Sequence, residues 1–127
     1  MDCKSSISTD NIGNIDKIDK AKTEGIAKVL SLARKAGAVT AGTELVIDTL
    51  RRKKACRVYI SSDASAGTLK KLRDKAAFYK TPAEILDMTM DELAHRVGFL
   101  RPTAAVSLTD RNFLKLIEKT NKRGGEI

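Results

Sequence analysis

The sequence is poor in the residue types that build several common kinds of site. It has no tryptophan, one histidine, two cysteines and two prolines, and aromatic residues make up 4% of its 127 residues. Cys3 and Cys56 have neither metal-ligand spacing nor the pattern of a disulfide framework, so we expect two plain thiols. The chain lacks both a run of about 18 apolar residues and an apolar N-terminal signal segment. These absences argue against a metal site, a disulfide-stabilised secreted domain and a membrane protein, and favour a cytoplasmic chain.

Motifs for catalysis and nucleotide binding are also missing. The single histidine, His95, lies on a predicted helix without a carboxylate or cysteine at ligand spacing, and we expect it at the surface. Ser61, Ser62 and Ser65 lack a Gly-x-Ser-x-Gly elbow and suit turns and helix caps. The stretch 37–42 resembles a phosphate loop only superficially, because the Gly-Lys-Ser/Thr ending is absent. We therefore expect no enzyme, no cofactor, no metal and no small-molecule substrate.

What the chain does have is positive charge, with a formal net charge of +8. Residues 1–24 carry four lysines and five acidic side chains, so the excess lies in the remaining residues. Such a charge favours a polyanionic partner, although a basic surface that only maintains solubility explains the charge equally well.

Helical and strand-like segments alternate along the middle of the chain. We expect residues 1–23 to be a flexible polar leader, residues 24–120 the folded domain and residues 121–127 a frayed tail. The predicted strands are 38–40, 58–60, 83–86 and 104–108; the predicted helices begin at Ile26, at Thr43 as a cap, after Ser65, at a Thr89 capping box and after Asp110. This alternation predicts an α/β fold, a three-layer α/β/α sandwich with a small mixed central sheet.

Two short segments have the composition of a binding surface. The Gly42-Thr43-Glu44 turn combines a glycine, which permits close backbone approach, with a helix start whose amides lack helical partners. The Gly98-Phe99-Leu100-Arg101-Pro102 loop places apolar side chains beside a guanidinium, as in sites that hold unstacked RNA bases. Separately, each segment also has a purely structural explanation, the first as a capped helix and the second as the cover of a core edge.

Four motifs, taken together, resemble the ribosomal L7Ae superfamily, and especially its bacterial members, over roughly residues 25–118. They are the stretch Leu30-Ser31-Leu32-Ala33-Arg34-Lys35-Ala36-Gly37, the stretch 41–46, the stretch Ser62-Asp63-Ala64-Ser65 with the charged residues 70–75 that follow, and the 98–102 loop. The resemblance implies a small α/β/α domain that binds kink-turn RNA. It also implies that the second helix start reads sheared G·A pairs, while the later loop packs on an extruded base.

The resemblance is incomplete at the second helix. Gly42 matches the family's Gly-x-Asn-Glu-x-x-Lys stretch, but Glu44, Leu45 and Asp48 stand where Asn, Glu and Lys are usual. Leu45 cannot accept a guanine amino hydrogen, and a Lys-to-Asp change reverses the charge, so we expect weaker or different kink-turn recognition. The loop keeps the family's Gly-x-x-Arg-Pro form. The site residues that the resemblance implies are Gly42, Thr43, Glu44, Leu45, Asp48, Arg51, Arg52, Ser65, Phe99, Leu100, Arg101 and Pro102.

The function expected from these observations is non-catalytic binding of structured RNA, either ribosomal RNA or another folded cytoplasmic RNA, by a monomer. The alternative is a protein-interaction adaptor on the same fold, because some relatives bind proteins and the altered 44–48 surface suits RNA less well.

Overall fold

The computed structural model describes residues 16–17 and 19–126. Strands and helices alternate along the chain, and each of the first four helices connects one strand to the next. Their bounds are β1 Asp16–Lys17, α1 Lys20–Lys35, β2 Val39–Ala41, α2 Thr43–Arg51, β3 Arg57–Ile60, α3 Ala66–Phe78, β4 Ala83–Ile85, α4 Met90–Val97, β5 Ala105–Leu108 and α5 Arg111–Glu126.

The strands form one mixed sheet in the order β1-β4-β3-β5-β2. β1, β4 and β3 are parallel to one another, whereas β5 is antiparallel to both of its neighbours, β3 and β2. The predicted mixed sheet is thereby confirmed. This topology places the start of α2, the end of β3 and the chain just before β5 at one end of the sheet. The ends of α1 and α2 lie at the opposite end of the sheet.

Helices cover both faces of the sheet, which confirms the predicted α/β/α sandwich. α1, α4 and α5 enclose one hydrophobic core, and α2 and α3 enclose the other. Alternate residues of β3 supply the two cores, because side chains along a strand point to opposite faces. Tyr59 is buried in the first core, while Val58 and Ile60 are buried in the second. Among the described residues, no helix has the length and apolar character needed to cross a bilayer.

The first and last helices extend beyond their predicted bounds. α1 begins at Lys20, six residues before the predicted Ile26, because the Asp19 carboxylate accepts a hydrogen bond from the Lys22 amide at 2.9 Å. Residues 20–23 are therefore helical, and Thr23 is fully buried. Residues 1–15 of the predicted leader, including Cys3, lie outside the described residues. The predicted tail is helical to Glu126, since adding a residue to an existing helix avoids the cost of a new nucleus.

The caps of the helices are mostly as predicted. Ser65 caps α3, and Thr89 and Glu92 form the predicted capping box at the start of α4. The prediction for α2 is wrong, because Gly42 is the N-cap residue and Thr43 is already helical. Gly42 has φ 104°, a value that L-residues rarely adopt, so the backbone here favours glycine over a side-chain cap.

Core packing along α1 predicts that two of its leucines contribute very differently to the free energy of unfolding. Leu30 is fully buried in the first core, whereas Leu32 is 53% exposed. Leu30→Ala is expected to lower the free energy of unfolding by about 2–5 kcal/mol, because it removes buried methyl groups and leaves a cavity. Leu32→Ala serves as the matched control and should change it by less than about 1 kcal/mol. Denaturant unfolding measures both, and equal losses would contradict the assigned burial of α1.

Candidate nucleic-acid interface

The start of α2 and the 98–103 loop are adjacent, although more than fifty residues separate them in sequence. The Gly42 amide donates to the Thr103 hydroxyl at 3.1 Å and to the Ala105 carbonyl at 3.0 Å. The Thr103 hydroxyl donates in turn to the Ala105 carbonyl at 2.8 Å. These bonds are possible because β2 pairs with β5, with Ala41 opposite Val106. The two segments singled out in the sequence thus form one surface.

A groove of about 560 Å³ runs between the two segments. Leu45 of α2 lines one side, and the loop residues Phe99, Leu100 and Arg101 line the other. Leu45 is 59% exposed, and the Leu100 side chain is fully exposed. Large apolar side chains at such exposure beside a guanidinium are typical of a surface that a partner covers.

Phe99 is held in place from the side of α1. The Arg34 guanidinium lies 4.8 Å from the centroid of the Phe99 ring, which is a cation–π contact. Phe99 is half-buried and packs against the first core, so it also covers the core edge. Gly98 has φ 106°, and a Cβ there would lie 3.5 Å from the Arg34 side chain. The aromatic ring therefore lines the groove and is in contact with Arg34 in the structure without a partner.

Arg34 is a member of this surface that the sequence analysis did not single out. It belongs to the Leu-Ala-Arg-Lys stretch of α1, which carried the family resemblance without an assigned role. Its contact with Phe99 joins residues 65 positions apart, and helical periodicity in α1 does not predict it.

The acidic side chain at the start of α2 is paired with a cation. Lys71 Nζ of α3 donates to Glu44 Oε2 at 2.6 Å. This hydrogen bond and the lysine charge lower the pKa of the Glu44 carboxyl, so Glu44 is ionised at neutral pH. The pair is exposed to solvent, so a partner can separate it at little cost. Lys71 thus offsets the negative charge that Glu44 brings to the surface.

Asp48, Arg51 and Arg52 form a second charged group, one turn further along α2. Arg52 Nε lies 3.1 Å from one carboxylate oxygen of Asp48, and Arg51 Nη1 lies 3.7 Å from the other. The carboxylate therefore neutralises part of the positive charge that both arginines would offer to phosphates. None of the three lines the groove between α2 and the loop.

Ser65 has a structural role in this fold. Its hydroxyl accepts a hydrogen bond from the Thr68 amide at 3.2 Å and caps α3. It does not line the groove. The structure thus brings together Gly42, Leu45 and the loop, and leaves Ser65 outside them. His95 is exposed on α4, as predicted.

The fold and the groove together define a class of protein: a small α/β/α domain in which one helix start and one loop line a common groove. The chain belongs to the ribosomal protein L7Ae/L30e/S12e/Gadd45 family, whose model matches residues 24–118. This membership confirms the resemblance drawn from the sequence motifs.

Two relatives from bacteria are similar over most of the domain. The chain is 33% identical over 87 residues to the RNA-binding protein YlxQ of Enterococcus faecium. The aligned residues cover 68% of this chain and 82% of that protein. It is 34% identical over 85 residues to the RNA-binding protein YlxQ of Bacillus subtilis strain 168, covering 67% of this chain and 83% of that protein.

Solved structures show the same fold. A protein of unknown function from Bacillus halodurans C has a TM-score of 0.67 at 26% identity, and the match covers 74% of this chain and 93% of that one. The Giardia lamblia 15.5kD RNA binding protein has a TM-score of 0.73 at 15% identity, covering 87% of this chain and 96% of that one. At 15% identity, the likeness to the Giardia protein concerns the fold alone.

Proposed function

We propose that this protein binds structured RNA of the kink-turn class, without catalysis, through the start of α2 and the 98–103 loop. The observation that carries the proposal is the groove in which exposed Leu100 and the braced Phe99 ring lie beside the start of α2. Family membership and the RNA-binding relatives support the same partner. We further propose that the protein acts as a monomer in the cytoplasm, on ribosomal RNA or another folded RNA.

Each part of the groove has a distinct task in this proposal. Phe99 and Leu100 pack against an extruded base, because RNA bases that leave the stack are commonly held by apolar and aromatic side chains. Arg101, which is exposed, contacts a phosphate or stacks on the base. Gly42 lets the RNA backbone approach, and the α2 start offers amides that no side chain caps.

The base-reading part of the site is altered relative to the family pattern. Glu44 can accept guanine N1 or N2 protons, but Leu45 offers no polar atom and Asp48 brings a negative charge. Each missing bidentate base contact typically removes about 1–3 kcal/mol of discrimination. We therefore propose that binding is largely retained while preference for the kink-turn motif is reduced.

A pair of RNAs tests this function. One is a kink-turn stem, and the other is the same stem with Watson–Crick pairs in place of the sheared G·A pairs. We expect the protein to bind both, with a preference for the kink turn of less than about tenfold, or roughly 1.4 kcal/mol. Titration followed by fluorescence anisotropy at fixed salt measures the two affinities. Failure to bind either RNA would contradict the proposal.

A protein partner is the second candidate, and the exposure of Leu45 and Leu100 favours it. Apolar exposure suits a protein interface as well as an RNA base. Affinity capture with and without nuclease treatment distinguishes the two candidates. Partners retained after nuclease treatment, but lost on Leu100→Ser, would favour the protein partner, whereas loss of partners on nuclease treatment favours RNA.

A further inference from the structure

A second groove lies at the opposite end of the sheet from the candidate site. Its volume is about 630 Å³, and it is formed where α1 and α2 end and where α5 begins. Three basic side chains line it, namely Lys53, Lys54 and Arg111, together with one carboxylate, that of Asp110. We call this feature the basic groove.

The cations of the basic groove form no ion pair with carboxylates of the described residues. Asp110 Oδ1 is occupied, because it accepts a hydrogen bond from the Asn112 amide at 2.8 Å. Throughout residues 19–119, no ion pair joins Lys53, Lys54 or Arg111 to an acidic side chain. By contrast, Arg51 and Arg52 share Asp48. With three cations and one carboxylate, the basic groove therefore keeps a net positive charge that ion pairs among the described residues do not neutralise.

Helix stability does not account for the cation at Arg111. A lysine near the C-terminus of α2 suits the helix dipole, but Arg111 is the first residue of α5, where the dipole disfavours a cation. Lys53 has φ 60°, in the left-handed region where helix ends usually carry glycine. The left-handed lysine is not peculiar to this groove, because Lys80 after α3 has φ 56°. Arg111, by contrast, occupies a position where the helix dipole disfavours its charge, and a bound anion would offset that cost.

The position of the basic groove relative to the candidate site fits one elongated anion. α2 connects the two: Gly42 precedes its first residue, and Lys53 and Lys54 follow its last turn. Nine helical residues at about 1.5 Å each separate the two ends by roughly 14 Å. Arg51 and Arg52 lie on the last turn between them. A nucleic-acid strand that crosses the start of α2 can therefore continue along the helix to the basic groove.

We propose that the basic groove binds the phosphate backbone of an RNA that the start of α2 and the 98–103 loop bind at its kink. The proposal rests on RNA being the partner. The basic groove would contact the stem beside the kink, and this contact does not depend on base sequence. It would therefore supply affinity in a protein whose base-reading residues on α2 are altered. Phosphate contacts of this kind act by releasing counterions, so they set the salt dependence of binding.

The test uses the full chain, a plain RNA duplex without a kink turn and a triple variant, Lys53→Asn, Lys54→Gln and Arg111→Gln. Asparagine is chosen at position 53 because it tolerates the left-handed conformation. The matched control, Lys70→Gln, Arg73→Gln and Lys75→Gln on α3, changes the net charge equally. Loss of three phosphate contacts should reduce the slope of log affinity against log salt by about two units and weaken binding at low salt tenfold or more. The control should leave the slope within half a unit of the original protein.

The outcomes separate this proposal from the proposed function. If the original protein binds no RNA, both proposals fail. If it binds RNA but the triple variant and the control have equal salt slopes, the basic groove alone is contradicted. Amide chemical shifts measured with inorganic phosphate and with the duplex distinguish free phosphate from RNA phosphate as the ligand. Shifts at residues 53, 54 and 111 with phosphate, but none with the duplex, would overturn RNA as the ligand of this groove. Unchanged unfolding midpoints confirm that each variant is folded.

Discussion

Phe99→Ala is expected to weaken binding of a kink-turn RNA by about tenfold to a hundredfold. Stacking of a base on an aromatic side chain contributes roughly 1–3 kcal/mol, and the Phe99 ring is already oriented by Arg34. Phe78→Ala on α3 is the matched control, because its ring is 74% exposed and does not line the groove. Anisotropy titration of both variants measures the effect.

A second substitution separates binding from folding at this position. Phe99 also packs against the first core, so its removal lowers stability as well. Phe99→Leu retains apolar packing and loses the aromatic face, and we expect most of the affinity loss with little change in the unfolding midpoint. Equal affinities for Phe99→Ala, Phe78→Ala and the original protein would exclude the loop as a base-packing element.

Restoring the family pattern on α2 should increase the preference for kink-turn RNA, by a factor at least as large as the affinity loss expected for Phe99→Ala. The triple variant Glu44→Asn, Leu45→Glu and Asp48→Lys is expected to raise the preference for a kink turn over a plain duplex by roughly tenfold to a hundredfold or more. Two regained base contacts at about 1–3 kcal/mol each would give at least about thirtyfold, and a gain of about tenfold corresponds to one regained contact. The variant also releases Arg51 and Arg52 from Asp48, which adds phosphate affinity.

The single substitution Asp48→Lys controls for the change in charge. It should raise affinity for kink-turn and plain RNA by the same factor, because phosphate attraction carries no sequence information. The ion pairs lost in the triple variant are exposed, so we expect little change in stability. An unchanged ratio of the two affinities in the triple variant would show that this helix does not read base pairs in this protein.

Local patterns in the sequence predicted much of the fold. The capping box at Thr89 and the cap at Ser65 were visible because their partners lie three residues away in sequence. The strands around Tyr59 and Val106 were visible as short apolar runs bounded by turn residues. The start of α1 was misplaced because its first turns are polar and its cap, Asp19, lies in a segment without apolar periodicity.

The two segments of the candidate site were predicted, but the contacts between them and the rest of the fold were not. The Gly42 turn and the 98–102 loop were singled out separately, and the pairing of β2 with β5 makes them neighbours. The contacts of Arg34 with Phe99 and of Lys71 with Glu44 join distant segments, so no local pattern announces them. The Asp48 pairs are different: their spacing of three and four residues on a helix is readable in the sequence.

An amide chemical-shift titration of the full chain with a kink-turn RNA tests whether the start of α2 and the 98–103 loop form the binding surface. We expect the largest changes at residues 42–45 and in the 98–103 loop, with smaller changes at residues 53, 54 and 111. Large changes confined to the outer faces of α1, α4 and α5, with residues 42–45 and 98–103 unaffected, would contradict this binding surface.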